Sequence, residues 1–488
     1  MSELTRRAAL QTMSAFAAPR KRRPNILFVM TDDHVPRAIS CYGSKVLRTP
    51  NFDRLAQEGV RFDNCFVTNS LCAPSRASVL TGCYSHINGI RGNSEAADAI
   101  ENIDKSLPTY PQVLRQAGYK TAIVGKWHLS HDPVGFDYWC VLPGQGLYFN
   151  PDFIENGVKK KFEGYATDVT TDLALKFLKS AGKADPWCLV YQHKAPHRPF
   201  QPAPRHARLL ADQDLPYPPT FDDTYETRKI AKESEDMRFD ISLAADYKEM
   251  PKDLSAPERK KWLYQRFVKD YYRAAYGVDE NLGRVLDYLD ETGQAENTVV
   301  IYTSDNGFFL GDHGWYDKRF MYEPSLRVPL IVRYPGLALK GAVEQRFVLN
   351  IDHAPAILDL AGVKIPARMQ GRSYRKLLEG KSPGNWRKSM YYTYYENSWR
   401  LSGKGLEARS DPSFQFFTPH RVGPHRGVRT ERHKLIHYYS DGDYWELFDL
   451  ATDPNELRNV YADPAYARML PGLKRELERL RAEYRDAG

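Results

Sequence analysis

The strongest constraint on this chain is a repeated form of punctuation: short apolar runs that stop abruptly at polar, cation-binding side chains. Ile26-Leu27-Phe28-Val29-Met30 runs into Thr31-Asp32-Asp33-His34, and Thr121-Ala122-Ile123-Val124 runs into Gly125-Lys126-Trp127-His128. Cys188-Leu189-Val190-Tyr191 runs into Gln192-His193 and then Pro196-His197, and Thr298-Val299-Val300-Ile301-Tyr302 runs into Ser304-Asp305-Asn306-Gly307. Runs this short, rich in Val and Ile and without polar alternation, predict strands covered on both faces. Helical spacing separates them: Tyr271, Ala275, Val278, Leu282, Val285 and Leu289 recur every three to four residues, and Gly293 closes the helix. Strands alternating with helices predict an α/β fold built on a large mixed, mostly parallel, doubly wound sheet, whose ligands gather beyond the carboxyl ends of the strands. Each polar cluster falls at such an end.

After about residue 370 the texture changes. Residues 390–395, 434–439 and 444–448 are aromatic-rich strand candidates with short polar connections, which predicts an antiparallel sheet. Residues 470–484, with leucines at 470, 473, 477 and 480, predict an amphipathic terminal helix. The expected organisation is a leader over 1–23, a catalytic domain over 24–370 and a smaller C-terminal α+β subdomain over 371–488. Residues 203–262, charged and carrying Pro216, Pro218, Pro219, Pro251 and Pro257, predict a long surface excursion bordering the site.

At 488 residues with 42% apolar and 27% charged side chains, the chain is neither disordered nor fibrous. No stretch approaches the roughly 18 uninterrupted apolar residues of a membrane span. The formal charge of +8 does not mark a nucleic-acid surface: Arg6, Arg7, Arg20, Lys21, Arg22 and Arg23 face Glu3 alone, and the remainder holds 63 basic against 60 acidic residues. Thr5-Arg6-Arg7, the small-residue apolar run over 8–18 and Ala15-Phe16-Ala17 together predict a twin-arginine export signal, hence a periplasmic or secreted protein. A plain basic tail would leave it cytoplasmic. The six cysteines (Cys41, Cys65, Cys72, Cys83, Cys140 and Cys188) form no C-x-x-C pair, which excludes a thiolate zinc site and a disulfide scaffold.

Adjacent carboxylates at a strand end repel one another unless a cation sits between them. Asp32-Asp33 and Asp305-Asn306 together offer an all-oxygen shell with three negative charges, suited to Ca²⁺ or Mg²⁺ rather than Zn²⁺. The most specific segment is Leu71-Cys72-Ala73-Pro74-Ser75-Arg76-Ala77-Ser78-Val79-Leu80-Thr81-Gly82. Pro74 and Ser75 suit the first turn of a helix, which puts Cys72 at its N-terminus, where backbone N–H groups favour an anion. Arg76, four residues on, shares that face. From the residues alone this is an activated thiol beside an anion-binding arginine, or else a buried structural cysteine.

With these residues in view, the sequence resembles the type I sulfatases of the alkaline-phosphatase superfamily. Their Cys-x-Pro-Ser-Arg signature followed by Leu-Thr-Gly is complete over 72–82, and residues 25–33, 49–56, 125–128, 303–307 and 327–331 also look like family blocks. The resemblance replaces the thiol nucleophile: it implies that Cys72 is converted to formylglycine, by a formylglycine-generating or maturase enzyme, before folding is complete. It further implies Ca²⁺ held by Asp32, Asp33, Asp305, Asn306 and an oxygen of modified Cys72. Arg76 would hold the aldehyde hydrate, Lys126 and Lys318 would neutralise sulfate oxygens, His197 would serve the leaving-group oxygen and His128 would take the proton that completes the cycle. Taken singly, these lysines would be surface residues and these histidines packed ones; their places after strand ends and within family blocks reverse that.

His313 is assigned either to the site or to a turn, and His420, His425, His433 and His437 to ordinary surface packing. The blocks over 426–450 and 453–456 resemble bacterial carbohydrate sulfatases, implying a sulfated saccharide substrate, with a sulfated hexosamine of a glycosaminoglycan favoured. The aromatic stretch 391–399 either stacks on sugar rings or belongs to the core. Two alternatives stand beside this expectation. One is a phosphonate monoester hydrolase or phosphodiesterase of the same superfamily, against which Asn306 argues because such relatives place a histidine there. The other is a non-catalytic sulfoglycan-binding homologue in which Cys72 stays unmodified.

Overall fold

The first strand, β1 (Asn25–Thr31), is buried along its whole length and feeds two cores at once. Ile26, Phe28 and Met30 point into one, Leu27 and Val29 into the other, as the two-residue period of a strand requires. The computed structural model describes residues 23–93, 101–396, 422–440 and 442–487. In chain order β1 is followed by β2 (Val60–Phe66), β3 (Lys120–Lys126), β4 (Tyr138–Leu142), β5 (Asp152–Glu155), β6 (Val158–Lys161), β7 (Trp187–Gln192), β8 (Thr298–Ser304), β9 (Arg327–Arg333), β10 (Ala342–Glu344) and β11 (Val348–Leu349). They form one 11-stranded sheet in the order β10-β2-β9-β8-β1-β7-β3-β4-β5-β6, with β11 beside β2. The run β8-β1-β7-β3-β4 is parallel throughout, while β9 enters antiparallel between β2 and β8. The fold is the expected mixed, mostly parallel α/β sheet.

Helices cover both faces. Cys72–Thr81, Tyr110–Gln116 and His353–Leu360 pack on the face that holds Phe28; Pro50–Glu58, Ala166–Ala181 and the second half of Ala256–Glu291 pack on the face that holds Val29. The 36-residue helix Ala256–Glu291 opens on a capping box in which the Glu258 carboxylate accepts from the Ser255 backbone N–H at 2.9 Å. It begins earlier than expected, so the last residues of the 203–262 excursion are helical. The rest of the excursion has short helical turns, Lys229–Glu233 and Phe239–Ser242 among them, and buries Phe221, Phe239, Leu243 and Tyr247 against Leu263, Phe267 and Tyr271 of the long helix.

The C-terminal sheet is antiparallel, in the order β12 (Ser389–Tyr394), β13 (His425–Thr430), β14 (His433–Tyr438), β15 (Tyr444–Asp449), and Leu473, Leu477 and Leu480 of the helix Leu470–Tyr484 close it. Strand β13 escapes pattern reading because Arg426, Gly427 and Arg429 give it no apolar face. Its arginines are instead absorbed by neighbours: Arg429 stacks over Phe66 and Phe347 and pairs with Glu323. The same core takes in Phe309, Trp315 and Phe320 from the loop after β8, so the small sheet leans on the segment that follows a site strand. No helix among the described residues is long and apolar enough to cross a membrane.

Candidate active site

The parallel registers bring four strand ends to one place. Thr31 pairs with Ser304, Met30 with Gln192, and Gly125 with Gln192, so Asp32-Asp33, Asp305-Asn306, Lys126 and the turn 193–197 leave the sheet side by side. Gly125 (φ +98°) is required here, because a Cβ would lie 1.8 Å from the Gln192 carbonyl oxygen. Asp33 (φ 62°) and His128 (φ 55°) also hold left-handed backbone, an outlay of about 1–3 kcal/mol each that clusters at functional sites. Cys72 arrives on the opposite side as the first residue of the helix Cys72–Thr81, after an extended Leu71. The Asn93 side-chain carbonyl caps that helix by accepting from the Ala73 N–H at 3.1 Å.

Arg76 is the hub. Its Nε donates to Asp305 Oδ2 at 2.9 Å, Nη2 to Asp32 Oδ2 at 3.1 Å, and Nη1 to the Lys126 carbonyl at 2.8 Å and to Gln192 Oε1 at 2.6 Å, with every partner buried. Lys126 pairs with Asp32 and donates to Gln145 Oε1 at 2.7 Å. Lys318 pairs with Asp33 Oδ1 at 2.6 Å and donates to Cys72 Sγ at 3.2 Å. The Cys72 thiol itself donates to Asp32 Oδ1 at 3.5 Å. His197 Nδ1 faces the Arg198 carbonyl at 2.7 Å, which turns Nε2 toward Asp33 Oδ2, 3.8 Å away. His128 is half-buried, its Nδ1 enclosed without a hydrogen-bond partner, and the charges of Lys126, Asp32, Arg76 and Lys318 all act on it.

Burial raises all three carboxyls, but their neighbours separate them. Lys126, with His197, Lys318 and Arg76, takes Asp32 well below the usual carboxylate value. Burial, against the pull of Lys318 and aided by Asp32 and Asp305, leaves Asp33 well above it; burial and Asp32 likewise lift Asp305 despite Arg76. Burial and the Lys126 charge hold His128 and His197 neutral. The Cys72 thiol is pushed up by burial and by Asp32, which outweigh Lys318 and Lys126. This corrects the reading of Cys72 as an activated thiol: Arg76 spends its guanidinium on Asp305 and Asp32, and the sulfur stays protonated.

Asp32, Asp33 and Asp305 place carboxylate oxygens within 4.8 Å of one another. The Asn306 amide donates to Asp305 Oδ1 at 2.8 Å while its own Oδ1 is buried without a donor. Three carboxylates and an orphaned amide oxygen fit a hard divalent cation.

Every residue expected at the site is therefore here: Asp32, Asp33, Cys72, Arg76, Lys126, His128, His197, Asp305, Asn306 and Lys318. Pattern reading missed Gln145, Gln192, Tyr148 and Lys194. The Tyr148 hydroxyl donates to the His197 carbonyl at 2.6 Å, and Lys194 is buried three residues before His197. Gln192 and Lys194 lie inside the polar cluster that ends β7, whereas Gln145 and Tyr148 carry no local signal. His313 serves a turn away from this cluster, with Nδ1 2.6 Å from Asp223. His425 is core, among Phe320, Tyr392, Tyr394 and Tyr438, rather than surface. His433 faces Asp449 and His437 stacks on Trp445, both on the small sheet. Tyr391, Tyr392 and Tyr394 are core. His420 and residues 397–399 lie outside the described residues.

A family profile described as Sulfatase matches residues 24–363, and one described as N-sulphoglucosamine sulphohydrolase, C-terminal, matches 401–483. The chain is 40% identical to an N-acetylglucosamine-6-O-sulfatase of Bacteroides thetaiotaomicron, over 98% of this chain and 90% of that protein. It is 27% identical to the N-acetylglucosamine-6-sulfatase of Homo sapiens, over 90% and 81% respectively. Among solved structures, one of a protein in complex with its substrate D-glucosamine-2-N,6-O-disulfate matches with a TM-score of 0.86 and 40% identity, covering 96% of this chain and 99% of that one.

Proposed function

We propose, from the premise that the chain belongs to the sulfatase family, that it removes the 6-O-sulfate from glucosamine units of glycosaminoglycan-type saccharides. As a sulfatase it is a hydrolase of sulfate esters on carbohydrate. The observation that carries the choice of sugar is the 40% identity maintained over 98% of the chain with an N-acetylglucosamine-6-O-sulfatase.

The donor set supports Ca²⁺, which Asp32, Asp33, Asp305 and Asn306 would hold together with an oxygen at position 72. Bound there, it supplies fixed positive charge for a sulfate oxygen. Carried as formylglycine, position 72 supplies an aldehyde hydrate as nucleophile in place of a thiol that burial keeps protonated. Arg76 is locked by four acceptors and so holds Asp32 and Asp305 in place around the nucleophile, whose hydrate it would meet without rearranging during reaction. Lys126 and Lys318 bracket the cavity from the β3 and 307–326 sides and neutralise sulfate oxygens. His197, its Nδ1 anchored on the Arg198 carbonyl, presents Nε2 to the leaving oxygen; burial and the Lys126 charge keep the ring neutral, and the incoming sulfate offsets that charge, so that the ring can carry the proton the alkoxide needs. His128 takes the final proton. We further assign the basic leader to export, and conversion of Cys72 to a maturation enzyme that meets the nascent chain.

The test is a turnover panel of sulfated mono- and disaccharides, run on protein whose Cys72 conversion is quantified by intact mass. Glucosamines bearing a 6-O-sulfate should be desulfated. Turnover confined to 2-O-sulfated uronates or to 4-O-sulfated galactosamines would overturn the assignment.

A further inference from the structure

Among the cations around this cavity one is unanswered. Lys126 pairs with Asp32 and Lys318 with Asp33, but Lys194, whose side chain is only 4% exposed, has no carboxylate within ion-pair distance among the described residues. Its ammonium donates to the Arg198 carbonyl at 3.3 Å and rests 5.0 Å from the Tyr148 ring centroid. An ammonium has three N–H donors, so two remain uncommitted. Tyr148 also donates to the His197 carbonyl, and Lys194 Nζ and His197 Nδ1 share the Arg198 carbonyl, which places the ammonium on the leaving-group side of the site. Burial, reinforced by Lys126, pulls it down to about 7. A desolvated ammonium is costly unless an anion meets it. Holding the Arg198 carbonyl does not explain the charge, since a neutral amide donor would do that.

We propose that Lys194 is a substrate-binding residue whose ammonium receives a sulfate oxygen of the saccharide. The inference rests on the desulfation reading above. Two sources share this chemistry: the ester being cleaved, and a second sulfate on the same sugar. The experiment separates them by comparing wild type with Lys194→Met, matched for Cys72 conversion, on glucosamine 6-sulfate and glucosamine 2-N,6-O-disulfate. A loss of about 10- to 100-fold in kcat/KM on both sugars, with weaker inhibition by inorganic sulfate, identifies the reacting ester. The same loss confined to the disulfate identifies the second group. Both sugars within about 2-fold of wild type, with inhibition by inorganic sulfate unchanged, overturns the proposal.

Lys194→Gln keeps a donor for the Arg198 carbonyl without the charge; it serves if the methionine variant does not fold, and wild-type kinetics in it also overturns the proposal. Should the wild type cleave neither sugar, the substrate reading fails on its own. Lys194 is then judged by the rise in melting temperature that inorganic sulfate gives the wild type, which the variants should lose; equal rises would refute it.

Discussion

Asp305 ties three parts of the site together, because it faces Arg76, Asn306 and the Asp33 backbone N–H at once. Replacing it with alanine strips a charge from the cation site and frees a buried guanidinium, so Asp305→Ala should lose turnover by at least about 10³-fold while retaining its circular dichroism spectrum. On the proposed cation site, Ca²⁺ should raise the wild-type melting temperature by a few degrees, chelation should reverse the rise, and Asp305→Ala should lose it. Cys72→Ala should be equally inactive yet keep that rise, since the carboxylates remain. A variant of either residue that retained substantial activity would refute the roles assigned here. At this scale the chemistry was legible where a residue type is improbable on its own, as with Asp32-Asp33 or Cys72 ahead of Pro74. Gln145 and Lys194 were not, because nothing local distinguishes a buried glutamine or lysine from an exposed one; only the order β4-β3-β7, which sets the loops after β4 and β7 on either side of Lys126, brings them to the site.

Elements were readable in proportion to how little they depend on distant partners. The central strands announce themselves because both faces are apolar, and the helix Leu470–Tyr484 because its leucines hold one face. Strand β13 was invisible, its Arg429 being satisfied by Phe66, Phe347 and Glu323 from elsewhere in the chain. The excursion over 203–262 reads as loop, yet it does work at the site through one residue. Asp246 accepts from Arg198 Nη2 at 2.7 Å and also from its Nε, and Arg198 supplies the carbonyl that anchors His197. Asp246→Ala should therefore loosen the imidazole that is proposed to protonate the leaving group. Its kcat should fall about 10-fold on a saccharide sulfate but stay within about 2-fold on an activated aryl sulfate, whose leaving group needs no proton. Equal losses on both would reduce the clamp to general stability.

At the scale of the molecule, the small sheet and the loop after β8 share one core, joined by a buried polar seam. Tyr322 of that loop donates to Glu446 of β15 at 2.9 Å, and Lys434 bridges Glu323 and Glu456. Burial, opposed by the Tyr322 hydroxyl and Arg228, lifts the Glu446 carboxyl to about 7. The folded chain then keeps a proton that the unfolded chain releases near its ordinary carboxyl value. The resulting stabilisation is full below about pH 4.5 and fades as pH climbs through about 7, by something on the order of 3 kcal/mol. Denaturant midpoints followed from about pH 5 to 8 should decline in wild type relative to Glu446→Gln; parallel curves would show that the seam does not titrate.

The side chain at position 72 has no solvent exposure at all. On the conversion proposed above, a modifying protein could not reach what the finished fold has sealed, so each copy of the chain would have to meet its activator during synthesis or not at all. Recombinant batches should consequently be mixtures of working and silent molecules, fixed in ratio at birth, and no later incubation of the native protein with an oxidising enzyme should shift that ratio.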